Sequence, residues 1–262
     1  MTTERTEKDP LRLRDGVGIA LDIGAQILFC EGEISRVEDT VSRISRAYGA
    51  VRVDVFAITS LIVISVSDRD GNSLTLSRRI YGNRKNMRRV EEMNALSRRI
   101  CADPVPPEEA RQLYDAAVAR SAPRIWARAM GALIVCASFT AFFGGSMGDC
   151  LASLLVGIGV FAMEIISDRL SVNRILYSLN AAFVAGVGAI LTVYAGVGDS
   201  VDQIMFGVIM LLIPGASLTG AIENLMVGDT LSGLMGAAEA ILRSLALAAG
   251  VALALTVLGG LL

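Results

Sequence analysis

The chain has 262 residues, 53% of them hydrophobic, with a mean hydropathy of +0.56 and a formal net charge of −2. That is more apolar than a soluble domain, which sits at about 45–50%, and a near-balance of charge with no long like-signed block excludes a nucleic-acid-binding tail. There is no histidine, which removes the commonest general base and metal ligand together, so neither a metal nor another cofactor is expected.

The apolar excess is uneven. Residues 1–128 hold 21 of the 24 Lys and Arg and 18 of the 26 Asp and Glu, whereas residues 129–262 keep only Arg169, Arg174 and Arg243 as bases. This division predicts an N-terminal α+β domain over 1–128 and a transmembrane helical domain over 129–262. The first stretch, "MTTERTEKDPLRLRDG", is charged and lacks an apolar core, so no cleavable signal peptide is expected.

Along the first half, "GVGIALDIGAQILFCEG" has apolar residues at helical spacing. The next segment repeats Ile34, Val37, Val41, Ile44 and Tyr48 with charges opposite, a second amphipathic helix. "VRVDVFAIT" and "LIVISVSD" are rich in β-branched residues, and Asp70-Gly71 predicts a hairpin into "LTLSRRIYG". "NMRRVEEMNALSRRICAD" reads as a helix ended by Pro104, Pro106 and Pro107, and "PPEEARQLYDAAVARSA" as another leading to the membrane.

Chemistry-bearing motifs are sparse. Cys30, Cys101, Cys136 and Cys150 have no C-x-x-C spacing, and the last two lie in apolar runs as small hydrophobes. There is no phosphate loop, G-x-S-x-G or G-x-G-x-x-G, and the spacing of Asp22, Glu31, Glu33 and Asp54 demands no carboxylate pair. An enzyme is not indicated. Arg78, Arg79, Arg84, Lys85, Arg88 and Arg89 cluster closely. They form either an anion or head-group site or, preferred here, a solvated rim beside the inner leaflet.

The second half contains uncharged runs at 129–148, 150–163, 175–198, 203–222 and 244–262. A spanning helix needs about 20 apolar residues. With the second run extended through Glu164 to residue 167, and the last begun at 242, five spans are predicted: 129–148, 150–167, 175–198, 203–222 and 242–262. Arg120, Arg124 and Arg128 precede the first, Arg169 and Arg174 follow the second, and Arg243 lies at the last. Positive charge stays inside, which predicts a cytoplasmic N-terminus and an outer C-terminus. Gly144-x-x-x-Gly148 and the many other small residues suit close helix packing.

"LLIPGASLTGAIENLMVGDTLSG" places Pro214 and Gly215 about twelve residues into the fourth run. Proline removes a backbone hydrogen bond and kinks a helix, and transporters use broken helices to bind polar solutes at mid-depth. Ser217 and Thr219 beside the kink either contact a solute or satisfy their own helix. Glu223 and Asn224 follow, and Gly228-Asp229-Thr230 reads as a turn and cap. Glu164 is a carboxylate within a membrane segment, a functional candidate by default, or else a partner of Arg169.

In this order, "GEISRVEDTVSRISRAYG", "ITSLIVISVSDRDGNSLTLSRRIYGNRKNMRRVEEMN", "FFGGSMGDCLASLLVG" and "IPGASLTGAIENLMVGDTLSG" resemble the threonine/serine exporter family across nearly the whole chain, most closely its short, two-subunit form. Pro214, Gly215, Leu218, Gly228 and Gly233 match its Pro-Gly signature, whereas the family often has Asn at Gly220 and Asp at Asn224. If that Asp carries protons, Asn224 does not, and Glu223 stands in. The resemblance implies secondary active export of threonine and serine, or of a dicarboxylate such as succinate. Five spans are few for a transporter built from two repeats, so a small membrane partner subunit or a homo-oligomer is expected. The competing reading is a membrane-anchored sensing or regulatory protein with a ligand-binding cytoplasmic domain.

Overall fold

The computed structural model describes residues 10–82, 86–122, 124–170 and 172–261. They form two compact units: those up to residue 122 with Ile222–Met235, and those of 124–221 with 236–261. Arg84 and Lys85 of the basic cluster lie outside the described residues.

The first unit is α+β. Helices α1 (Pro10–Phe29) and α2 (Ile34–Ala47) precede strands β1 (Arg52–Ile58), β2 (Leu61–Ser67) and β3 (Ser73–Arg79), then α3 (Met87–Ala102) and α4 (Pro107–Arg120). The sheet is an antiparallel meander in the order β1-β2-β3, with Val55 opposite Ile64 and Ile64 opposite Leu76. The β2–β3 turn is the expected one: Asp68 accepts the N–H groups of Asp70 and Asn72, and Gly71 takes a φ of 84°, which glycine adopts at no steric cost. Alternation along β2 buries Ile62, Ile64 and Val66 and leaves the intervening residues half-buried. These meet the α2 stripe of Ile34, Val37, Val41 and Ile44 and the inward face of α1 in one core.

Two glycines let α1 and α2 approach. A Cβ at Gly16 would overlap the Tyr48 ring, and one at Gly24 would stand 2.5 Å from Val41 Cγ2. Tyr48 in turn donates to the Val105 carbonyl at 3.0 Å, tying the end of α2 to the segment before α4.

The second unit is helical: α5 (Ile125–Phe142), α6 (Met147–Arg169), α7 (Arg174–Tyr194), α8 (Val201–Ile209), α9 (Gly215–Met226), α10 (Thr230–Leu258) and a terminal 3-10 turn. Helix α9 and the start of α10 contribute residues to the first unit as well. Four helices, α5, α6, α7 and α10, are long and apolar enough to cross a membrane. The interior mixes small side chains, among them Cys136, Ala152, Ala181, Ala185 and Ala189, with larger ones such as Ile190 and Ile204. Other large ones, including Ile134, Leu155, Ile158 and Leu253, face outward. This arrangement suits a lipid environment, where tight backbone approach drives helix association.

The predicted fourth span is not one helix. Helix α8 stops at Ile209, the chain turns through Met210–Pro214, and α9 starts at Gly215. Nine and twelve residues rise about 13.5 and 18 Å, each short of the roughly 30 Å hydrocarbon core. A proline alone would kink the helix. Here the ladder has already tightened upstream, with Leu211 N–H bonded to Val208 and Leu212 N–H to Ile209, before Pro214 withholds its own N–H.

Candidate functional site

Helix α5 carries Arg128 one turn from its start, and α6 carries Glu164 and Asp168 near its end. The Arg128 guanidinium bonds Glu164 Oε1 at 2.5 Å and lies 3.6 Å from Asp168 Oδ2. It also lies over the Phe161 ring, 5.8 Å from the centroid, a cation–π contact that holds its plane. Both charged partners are half-buried. An ion cluster thus forms between α5 and α6. Arg243 on α10 keeps a buried Nε with no hydrogen-bond partner among the described residues.

Glu164 therefore pairs across helices and not along its own. Arg169 lies five residues on, about 140° around the helix from Glu164, so the two cannot face each other. Arg128, which reads in sequence as a marker of the inner side, belongs to this cluster. The available signal was a carboxylate in an otherwise apolar run.

Pro214 is buried and Gly215 exposed at the break between α8 and α9. Among the described residues no backbone N–H pairs with the carbonyls of Met210, Leu211 or Leu212. Thr219 donates to the Gly215 carbonyl at 3.1 Å, so its hydroxyl serves its own helix. Ser217 is half-buried in the first turn of α9. Neither Ser217 nor Thr219 is hydrogen-bonded to Glu164 among the described residues. Glu223 is exposed and Asn224 half-buried toward the end of α9. Asp229 stands in the expected turn before α10, its N–H on the Asn224 carbonyl at 2.8 Å.

At the other end of α6, Asp149 is buried and accepts three backbone N–H groups: Ser146 at 2.8 Å, Asp199 at 2.7 Å and Ser200 at 2.9 Å. Ser146 completes a capping box with it. The stretch "FFGGSMGDC" is thus a corner. Gly144, at a φ of 85°, and Gly145 close α5 through bonds to Ala141 and Thr140, and Ser146 with Asp149 opens α6. The spacing of Asp149 from Ser146 is a capping signal visible in the sequence.

The basic cluster of the first unit comes apart. Arg78 pairs with Asp22 at 2.6 Å, and Arg79 lies over Tyr81. Arg89 ties Ser121, Gln26 and Val118 together through its three nitrogens. Arg88 is left exposed.

The model of the family "Putative threonine/serine exporter" matches residues 18–258. The chain belongs to the threonine/serine exporter family. It is 23% identical to the "Probable threonine/serine exporter" of Mycobacterium tuberculosis over 94% of this chain and 47% of that protein. It is 23% identical to the "Probable succinate transporter subunit YjjP" of Escherichia coli over 92% of this chain and 94% of that protein. The Klebsiella aerogenes protein of that name is 22% identical over 87% and 88%. The chain thus spans about half the length of the mycobacterial relative and nearly all of the other two. No solved structure matches. With four long apolar helices it is a multi-pass membrane protein of a transporter family, not an enzyme.

Proposed function

We propose that this chain is a subunit of a gradient-driven exporter of small polar metabolites in the bacterial inner membrane. The observation that carries the reading is the break between α8 and α9, with three carbonyls unpaired among the described residues and a buried Pro214. Non-helical backbone at membrane depth is tolerated where it lines a cavity or is buried in protein, and transporters place solute and ion sites at such breaks. Met210–Pro214, Gly215 and Ser217 would face the solute, with Thr219, Glu223 and Asn224 along the following helix. Glu164, held by Arg128, is the coupling carboxylate.

In this reading α8 and α9 together make the fourth of five crossings. The domain over 1–128 lies in the cytoplasm with Arg124, Arg128, Arg169, Arg174 and Arg243 on the inner side, and the C-terminus lies outside. The near-full-length match to the succinate transporter subunits supports a dicarboxylate substrate and a partner subunit, which we take to be the small membrane protein expected above. The mycobacterial relative supports threonine and serine as the other substrates to test.

Efflux from cells preloaded with dipeptides or succinate, with the chain present or deleted, tests this. Deletion should abolish efflux of succinate, threonine or serine. Efflux should require the small membrane protein and collapse with a protonophore. Unchanged efflux of all three solutes, with the protein confirmed in the membrane, would overturn the reading in favour of a sensor.

A further inference from the structure

The first unit contains a cavity of about 430 Å³ lined by α1, β3 and the start of α4. This is within the size range of small-molecule sites, about 300–1,000 Å³. Asp22 is part of its lining, and its side chain is only 15% exposed. Arg78 reaches it from β3 at 2.6 Å and Arg111 from α4 at 2.5 Å, one to each oxygen. Each arginine spends one nitrogen on Asp22. A guanidinium has five N–H donors, so both retain donors for a second acceptor. Arg111 is steadied from behind by the Tyr114 ring at 5.3 Å.

The lining is charge-balanced. Arg14, Arg78 and Arg111 are matched by Asp15, Asp22 and Glu108. A dianion would meet three acids, and a cation three bases. A molecule carrying one charge of each sign suits both sets. Gly18 leaves room for it: a Cβ built there meets no atom within 4 Å.

We propose that this cavity binds a small zwitterionic metabolite of the α-amino acid class. Its carboxylate bridges Arg78 and Arg111, and its ammonium faces Asp15 and Glu108. This site lies outside the apolar helices and does not depend on the transport reading.

Hydrogen exchange of the full chain in lipid nanodiscs tests it, with L-serine, L-threonine, lactate, serine methyl ester and succinate as probes. L-serine or L-threonine should slow exchange in peptides from 12–22, 73–79 and 107–111. Lactate, which lacks the ammonium, and the ester, which lacks the carboxylate, should need more than about tenfold higher concentration, the cost of roughly 1.4 kcal/mol of lost contact. Gly18→Leu fills the cavity, and Arg111→Gln removes a carboxylate donor; each should abolish the effect while α2 and α3 exchange as in the wild type. Glu164→Gln should leave it intact, which separates this site from any transport site. Absence of protection by both amino acids overturns the proposal. Equal protection by lactate or succinate, or protection that survives Gly18→Leu or Arg111→Gln, does so as well.

Discussion

Replacing Asp149 tests whether the α5–α6 corner holds the helical unit together. Its carboxylate is 2% exposed and accepts three backbone N–H groups from two separate segments. A hydrogen bond to a charged group contributes about 1.5–3 kcal/mol. Three would approach the whole stability of a domain, about 5–15 kcal/mol. Ser146 and Asp199 are exposed, however, so water can reclaim part of what alanine leaves unpaired. Asp149→Ala should therefore cost about 3–5 kcal/mol. Asp149→Asn keeps one acceptor oxygen for Asp199 and Ser200 but turns an amide donor toward the Ser146 N–H, and should cost about 1–2 kcal/mol. Ser146→Ala removes only the cap hydroxyl, worth about 1 kcal/mol. Unfolding in mixed micelles can be followed through Trp126, the only tryptophan. The order Ala, Asn, then the Ser146 variant is the expected result. An Asp149→Ala protein no less stable than Ser146→Ala would refute the clamp.

Glu164→Gln should lower proton-coupled efflux by at least about tenfold, whereas Glu164→Asp, still able to carry a proton, should recover part of it; rates with and without an imposed pH gradient measure both. Gly207→Ala should destabilise the bundle by about 1–3 kcal/mol, because a Cβ there would stand 2.7 Å from the Cys136 carbonyl oxygen and 2.9 Å from the Thr140 nitrogen. Gly220→Ala, which meets no atom within 4 Å, should not, and the same micelle assay compares the two. Burial pushes the Cys30 thiol up to about 11. Cys30 should therefore resist maleimide at pH 8 in the folded chain and react after denaturation, as mass spectrometry of the labelled peptide reports. Since the unfolded thiol ionises near 9.0 and the folded one near 11, its contribution to stability is complete below pH 9 and is lost as pH rises through that window.

Sequence periodicity was a good guide where one element's own face decides burial. Ile34, Val37, Val41, Ile44 and Tyr48 were read as one stripe, and all five are buried. The Asp70-Gly71 hairpin depended on local turn chemistry and was legible for the same reason. Pairings between elements were not. Arg78 is one member of a basic run until β3 brings it to Asp22, 56 residues earlier in the chain. Arg128 marks only a membrane edge until α5 lies against α6. Nothing local distinguishes a kink at Pro214 from a full break, because the outcome depends on how firmly the residues before it are held.

That hold is unequal, and the inequality bears on function. Helix α8 packs on α5, α6 and α7, and Gly207 admits α5 to backbone contact. Helix α9 buries only Ala221. The break thus separates a gripped half from a half with little packing of its own. Local opening free energy rises with the number of buried contacts, so motion at this break should concentrate in α9 while α8 stays fixed. An anchor has no use for that asymmetry, since continuous helices already satisfy their backbone groups in lipid. A carrier that must expose a polar site alternately to two sides needs one wall fixed and another that gives way. The carbonyls of Met210, Leu211 and Leu212, unpaired among the described residues, lie at the junction of the two.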